Sequence, residues 1–144
     1  MFWLHCGSSY YLDESWVFVV AAGSVEESAG CRLAEEGAFC TSGLGVEAVE
    51  LHTGTYALSK ADAQRQQWER LVTASRLIQE GGLRLHAGHG LNYVNVQPVA
   101  AIEGMRELNI GHAIVARAVF VGLHDAIREM KRLIDQLPPV LHWF

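Results

Sequence analysis

Three histidines of this chain each follow a short apolar run, in turns that are rich in glycine. If those runs are parallel strands, their carboxyl ends meet at the same edge of a sheet, and the side chains that follow them converge. An imidazole can move protons near neutral pH, and a nearby carboxylate can accept a proton or stabilise charge. The turns are ELHTG (50–54), AGHG (87–90) and NIGH (109–112).

His89 lies between two glycines, Gly88 and Gly90. Glycine on both sides lets backbone N–H groups approach a ligand and leaves the imidazole uncrowded. The tripeptide therefore predicts a histidine that transfers protons. It is equally compatible with a turn histidine whose ring only satisfies a neighbouring carbonyl, and the tripeptide alone does not separate these two interpretations.

Glu50 lies between two apolar residues, Val49 and Leu51, in a predicted strand. Strand alternation places it on the same face as Ala48 and His52. A carboxylate inside a barrel is costly unless it is paired, which favours a functional role. The alternative is a solvated glutamate on an edge strand. The end of this strand adds the imidazole of His52, and the residue after it adds the hydroxyl of Thr53.

Gly111 and His112 come at the end of the third predicted strand. Barrel enzymes often bind phosphate in the loops after their last two strands, with help from a helix N-terminus. The same pair is also typical of a packed core position. Arg117 is either a phosphate ligand or the surface partner of an acid such as Asp125. Because His89 and His112 have no acidic or cysteine partner at ligand-like spacing, we predict no metal site.

Hydrophobic spacing predicts the elements that must position these residues. From Gly45 onward, strands alternate with helices, which is the order of βα units in a parallel sheet. The predicted strands are Val46–His52, Leu83–His86 and Leu108–Ile114, with a turn over Gly54–Leu58. The predicted helices are Ser59–Glu80 (with Ser59 and Asp62 as caps), Asn95–Met105 and Leu123–Leu137. In the first part of the chain, residues 1–15 are predicted to be irregular, Trp16–Val20 a strand and residues 24–36 a weak helix.

Length and composition limit the class of protein. A complete (β/α)8 barrel needs about 250 residues, so a chain of 144 residues is a smaller α/β domain or a piece of a barrel. The net charge of −5 and all three cysteines come from residues 1–42. An odd cysteine count without repeat spacing argues against a disulfide framework and a zinc site, and favours reduced cytosolic thiols.

The same composition excludes several partners. The sequence has no basic patch with interleaved aromatic residues, which argues against nucleic acid as a partner. The apolar run Trp16–Ala22 is too short to span a membrane, and residues 1–4 lack the basic start of a secretory signal. We therefore expect a soluble cytoplasmic protein with neither nucleic acid nor membrane as a partner.

Three separated motifs resemble the C-terminal part of the bacterial pyridoxine 5′-phosphate synthase family. They are GVEAVELHTGTYA (45–57), GLRLHAGHGLNYVNV (82–96) and ELNIGHAIVARAVFVGLHDAIREMKRL (107–133). The resemblance runs from about Leu44 to Leu133. It implies an α/β fold, a partial (β/α)8 TIM barrel whose last three βα units occupy residues 44–137. Residues 1–43 are then an unassigned segment, unrelated or frame-shifted, and residues 138–144 a tail.

The resemblance also implies a reaction and its residues. The family condenses the phosphorylated substrates 1-deoxy-D-xylulose 5-phosphate and 3-amino-2-oxopropyl phosphate to pyridoxine 5′-phosphate, phosphate and water. It needs no metal or organic cofactor, and it forms homo-octamers. In this chain His89 matches the family's proton donor, and Glu50 matches the glutamate that stabilises the transition state. Gly90, Gly111 and His112 match the binding site for the amino-ketone phosphate.

The chain departs from the family in its first half. The family's N-terminal half supplies further substrate contacts, a catalytic histidine and a catalytic glutamate, and residues 1–43 do not resemble it. We therefore expect a truncated or frame-shifted product that is inactive by itself. One alternative is a non-catalytic half-barrel that self-associates through its open sheet edges. Another is a different phosphate-binding barrel enzyme, such as a thiamin phosphate synthase relative, against which the turn AGHGLNY argues.

Overall fold

The structure, a computed structural model, describes residues 48–137 and the backbone of two short strands before them. Those strands, β1 (Ser8–Leu12) and β2 (Ser15–Val19), pair as an antiparallel hairpin. The later elements are β3 (Ala48–His52), α1 (Gly54–Leu58), α2 (Ala61–Glu80), β4 (Arg84–Gly88), α3 (Val96–Ala100), β5 (Met105–Asn109), α4 (His112–Val121) and α5 (Leu123–Asp135).

The strands β3, β4 and β5 form one parallel sheet with β4 in the centre. Helices α1 and α2 connect β3 to β4, and α3 connects β4 to β5. The predicted order of neighbouring parallel strands is thus confirmed, and the chain is an α/β protein over the part that the structure describes. Because the strands are parallel, their carboxyl ends lie at one edge of the sheet.

One face of the sheet forms the core against α2. The buried side chains alternate along β3 and β4 and belong to one cluster with Ile78 of α2, which is fully buried. Those side chains are Val49, Leu51, Leu85 and Ala87, each at most 1% exposed. Truncating a large aliphatic side chain in such a layer costs about 2–5 kcal/mol, so this packing fixes the sheet against its helix.

The opposite face of the sheet is polar, because side chains alternate between the two faces along a strand. The strand register brings these polar residues into two neighbouring rows. The rows are Glu50–His86–Glu107 and, nearer the carboxyl edge, His52–Gly88–Asn109.

The predicted bounds of the third strand are wrong. β5 covers Met105–Asn109 rather than Leu108–Ile114, and the apolar run that begins at His112 forms α4. A short apolar run fits a buried strand or a helix equally well, so hydrophobic periodicity did not separate the two. The helix predicted to reach Met105 ends at Ala100, because a turn with Gly104 at φ 78° leads directly into β5.

Two local predictions are also corrected. Gly54–Leu58, predicted as a turn, forms the short helix α1. The N-cap of α2 is Lys60 rather than Ser59, whose hydroxyl instead donates a hydrogen bond to the carbonyl of Thr55. The hydroxyl therefore closes α1 and does not start α2. The remaining helices and strands of this part lie close to their predicted positions.

The first part of the chain is described only in its hairpin. The strand predicted over Trp16–Val20 is confirmed as β2, whereas residues 8–12, predicted to be irregular, form β1. The helix predicted over residues 24–36 lies outside the described residues. This part therefore adds an antiparallel pair, not a further βα unit, to what the structure describes.

Helix α4 is largely apolar, yet it buries none of its residues. Val119 is 79% exposed and Phe120 is 83% exposed. α5 buries Ala126 and Met130, but Leu123 at its start is exposed. An apolar surface therefore runs from α4 onto α5. In the described part of the chain, no helix has the length and apolar character needed to cross a membrane.

Candidate active site

The Glu50 carboxylate reaches from β3 across β4 to β5. Its Oε2 accepts a hydrogen bond of 2.7 Å from Nδ2 of Asn109. Between these two residues lies Gly88, where a β-carbon would collide with Oε1 of Glu50. The glycine thus leaves room for the carboxylate, and Asn109 holds one of its oxygens. A carboxylate that is held in this way on the polar face favours the functional interpretation of Glu50 over the solvated one.

The imidazoles of His52 and His89 lie against each other, with ring centroids 4.3 Å apart and planes tilted by 32°. A β-carbon on Gly54 would collide with the ring of His52 and crowd the ring of His89, so this glycine leaves room for the pair. Burial lowers the pKa of His52 below its ordinary value of 6.5, and the neighbouring His89 lowers it further. His52 is therefore neutral near pH 7. His89, in contrast, is an exposed residue.

We expect His52 to make the stability of the chain depend on pH. Because its folded-state pKa lies below 6.5, the unfolded chain takes up this proton more readily than the folded chain. The stabilisation is complete above about pH 6.5 and is lost as the pH falls through the folded-state pKa. Urea unfolding between about pH 7.5 and about pH 5 should show a larger loss of unfolding free energy in the wild type than in His52→Gln. Parallel losses in the two proteins would contradict this expectation.

The turn that carries His89 is strained. His89 has φ 79° and Gly90 has φ 77°, both in the left-handed region. This region costs a residue with a side chain about 1–2 kcal/mol, whereas glycine adopts it readily. Such strain at a residue other than glycine is typical of functional sites. A glycine at position 89 would adopt this conformation without strain. The presence of histidine there instead favours a role for the imidazole.

We expect His89→Gly to be more stable than His89→Ala by about 1 kcal/mol, because both variants lack the ring and only alanine keeps the strain. Denaturant unfolding of the two proteins measures this difference. His112→Gly and His112→Ala provide the matched control, since His112 begins α4 and alanine is the better helix former there. Equal stability of the two variants at position 89 would show that the turn is not strained.

Gly111 and His112 stand immediately beyond the carboxyl end of β5, at the start of α4. Gly111 is the N-cap, and no side chain caps this helix end. Both residues are exposed, and a β-carbon on Gly111 would meet nothing within 4 Å. The N-terminus of α4 therefore lies on the surface, at the sheet edge where His89 follows β4.

Arg117 forms a surface ion pair with an acid, which is the second of the two roles considered for it from the sequence. Its Nε and Nη2 donate hydrogen bonds of 2.8 and 3.0 Å to the two carboxylate oxygens of Glu129 on α5. The acid is thus Glu129 rather than Asp125, which pairs with Arg128 instead. Within residues 48–137, no three histidine, cysteine, aspartate or glutamate side chains are grouped to hold a metal ion.

His89 follows β4 and His112 follows β5 at the carboxyl edge of the sheet, and the Glu50 carboxylate reaches this edge from within β3 through its bond with Asn109. Sequence reasoning missed the contribution of Asn109. The misplaced third strand put this residue near the beginning of a strand, although it is the last residue of β5. Correct strand bounds would have placed it in register with Gly88 and within reach of the carboxylate.

The fold and this edge define an α/β protein whose parallel sheet presents acid–base side chains and an uncapped helix N-terminus at its carboxyl ends. Residues 34–136 match the family model described as "Pyridoxal phosphate biosynthesis protein PdxJ". The chain belongs to this family. The match to the family model begins at residue 34. The resemblance of the three motifs begins later, at about Leu44.

Several curated relatives, all named pyridoxine 5′-phosphate synthase, resemble the same part of the chain. The relative from Rhodopirellula baltica is 58% identical over 94 residues, which are 65% of this chain and 38% of the relative. The relative from a Synechococcus strain is 64% identical over 87 residues, 60% of this chain and 35% of the relative. The relative from Thermodesulfovibrio yellowstonii is 50% identical over 97 residues, 67% and 40% respectively. The chain thus spans less than half the length of these relatives.

Proposed function

We propose that this chain provides the C-terminal part of a pyridoxine 5′-phosphate synthase active site, on the last three βα units of a (β/α)8 barrel. The observation that carries the proposal is that the Glu50 carboxylate, on the polar face of the sheet, is bonded to Asn109 at the carboxyl end of β5, while His89 directly follows the carboxyl end of β4. Active sites of such barrels lie at the carboxyl ends of the strands. The identity to relatives of that name, 50–64% over this part, supports the same assignment.

His89 is the proposed proton donor. Condensation of an amino ketone with a sugar phosphate proceeds through imine formation, eliminations and proton transfers, and these steps need a group that exchanges protons near neutral pH. The ring of His89 rests on His52, whose depressed pKa keeps that neighbour neutral. A neutral neighbour places no like charge beside the proposed proton donor.

Glu50 is the proposed group that stabilises charge in the transition state. Its carboxylate is fixed before substrate arrives, because Asn109 donates to one oxygen and Gly88 leaves space for the other. A charge that is already oriented needs no reorganisation during the reaction, which is the main advantage of electrostatic catalysis.

Gly90, Gly111 and His112 are the proposed binding site for the phosphate of the amino-ketone substrate. The uncapped N-terminus of α4 offers N–H groups and the positive end of the helix dipole. The open space around Gly111 leaves room for a phosphate group. These three residues would anchor the substrate, whereas His89 and Glu50 would act on it.

A second candidate function is a non-catalytic half-barrel that associates with other copies of itself. The observation that favours it is the exposed apolar surface of α4, which continues onto α5. In addition, β5 is an outer strand of the described parallel sheet, whereas β3 lies beside β2. Exposed apolar patches and unpaired strand edges both promote association.

The proposed function is tested by exchanging one part of a relative for this chain. In the Rhodopirellula baltica protein, the part that corresponds to residues 44–133 is replaced by those residues, and synthesis of pyridoxine 5′-phosphate is followed by chromatography. We expect the exchanged protein to form product, because more than half of the aligned residues are identical. We expect the purified 144-residue chain to form none, since residues of one active site act as a unit.

Two results would contradict the proposal. An exchanged protein that folds and lacks activity would show that this segment does not supply the C-terminal part of the site. Turnover by the 144-residue chain at ordinary enzyme rates would show that it is not a partial site. The parent protein from Rhodopirellula baltica, carried through the same assay, is the control for substrates and detection.

A further inference from the structure

Thr53 is bonded to the turn that carries His89. It is fully buried, and its Oγ1 lies 2.7 Å from the carbonyl oxygens of both Gly88 and His89. Its backbone N–H also donates to the Gly88 carbonyl, at 2.8 Å. A threonine hydroxyl has one proton to donate, and the Gly88 carbonyl already accepts from the backbone. The distinct contribution of the hydroxyl is therefore its bond to the carbonyl of His89.

The conformation of His89 needs such a restraint. Its φ of 79° is unfavourable for a residue with a side chain, and Gly90 beside it can adopt many conformations. A strained residue keeps its conformation only where its surroundings hold it. The carbonyl of His89 belongs to the peptide unit that joins these two residues, so fixing this oxygen restrains the strained turn directly.

Close packing between the two turns adds to this restraint. A β-carbon on Gly90 would collide with the β-carbon of Ala57 in α1, and a β-carbon on Gly54 would collide with the ring of His52 and crowd that of His89. The two turns thus approach each other at glycines, and Thr53 bonds them between those contacts. The backbone of His89 sets the position of its β-carbon, and contact with the His52 ring limits how the imidazole can turn about its side-chain bonds.

We propose that Thr53 is a positioning residue, whose hydroxyl holds the left-handed turn at His89 and thereby keeps the two imidazoles in contact. The inference deepens the proposed function, since it rests on His89 as the proton donor of the same site. It assigns Thr53 no contact with substrate. Its effect on chemistry would come only through the direction in which the His89 ring points.

NMR spectroscopy of the full 144-residue chain tests this role with two variants. Thr53→Val keeps the shape of the side chain and removes the hydroxyl, whereas Thr53→Ser keeps the hydroxyl and removes a methyl group. A positive φ brings the amide proton of a residue close to its own α-proton and gives a strong intraresidue NOE. Ring-to-ring NOEs between His52 and His89 report the contact of the two imidazoles. Thr73→Val is the matched control, because the hydroxyl of Thr73 also donates to a carbonyl but lies on the exposed side of α2.

We expect wild type, Thr53→Ser and Thr73→Val to show both signals, and Thr53→Val to lose them. The amide at position 53 should exchange with solvent roughly tenfold faster in Thr53→Val than in Thr53→Ser. A purely packing role predicts the reverse order, with valine harmless and serine disruptive, and that order would overturn the proposal. If Thr53→Val does not fold, Thr53→Ala compared with Thr53→Ser tests the same contrast.

The outcome is separate from that of the proposed function. Signals retained in Thr53→Val would remove the role of Thr53 while the product assay of the exchanged protein still stands. An inactive exchanged protein would contradict the role of His89 as proton donor. The bonds of Thr53 to the turn would still produce the difference between Thr53→Val and Thr53→Ser in the NMR spectra. The two measurements therefore fail independently.

Discussion

Replacing His89 by alanine in the exchanged Rhodopirellula baltica protein is expected to lower kcat by about 10²–10⁴-fold, the usual contribution of a general acid or base. KM should change much less, because the proposed anchors of the substrate are Gly90, Gly111 and His112. Glu50→Gln should lower kcat as well, since it keeps the shape of the side chain and removes the charge. Steady-state kinetics with both substrates measure these changes.

The control for this experiment is His124→Gln. The side chain of His124 is 79% exposed on α5 and pairs only locally with Asp125 and Arg128. This variant should retain the activity of the exchanged protein. A rate for His89→Ala equal to that of the control would show that the imidazole at the sheet edge takes no part in proton transfer.

Gly111→Val is expected to abolish the weak binding of inorganic phosphate to the 144-residue chain. An isolated anion at a few N–H groups binds with a Kd on the order of millimolar, and a branched side chain at the N-cap of α4 would fill its place. The variant should fold, because Gly111 has φ −113° and a β-carbon there meets nothing within 4 Å. Its unfolding free energy should stay within about 1 kcal/mol of the wild type.

Amide shifts during a phosphate titration, followed by NMR, measure this binding at Gly90, Gly111 and His112. Ala116→Val, an exposed substitution farther along α4, is the matched control and should bind phosphate normally. His89→Ala should bind almost as well, since its proposed work is proton transfer rather than anchoring. Amide signals that do not move at high phosphate concentration would show that this site is not formed, and shifts confined to residues 1–43 would place it elsewhere.

Local sequence predicted the parallel sheet well where strand and helix patterns differ. The strand over Val46–His52 alternates and is followed by a long amphipathic helix, so both β3 and α2 were located correctly. The pattern failed after Leu108, where an apolar run without alternation forms the exposed helix α4. Hydrophobicity alone does not distinguish a buried strand from a helix in so short a run.

The candidate residues were also predictable, because strand order and the motif resemblance both point to one sheet edge. Glu50 was named as a carboxylate within an apolar strand, and His89 from its position in a glycine turn after one. The contacts that hold these residues could not be predicted in the same way. The hydrogen bond from Asn109 to Glu50, for example, joins residues 59 positions apart and depends on the register of their strands. Register follows from the packing of the whole sheet rather than from either strand alone.

The sequence by itself thus determined the order of βα units, the polar residues at their ends and the resemblance to one family. Only the tertiary structure showed that Gly88 makes room for the carboxylate, that the rings of His52 and His89 are in contact, and that His89 has a positive φ. The physical reason is that periodicity and turn composition act over neighbouring residues, whereas close contacts depend on how separate strands meet in space. The buried hydroxyl of Thr53 is such a contact, joining one strand end to the next.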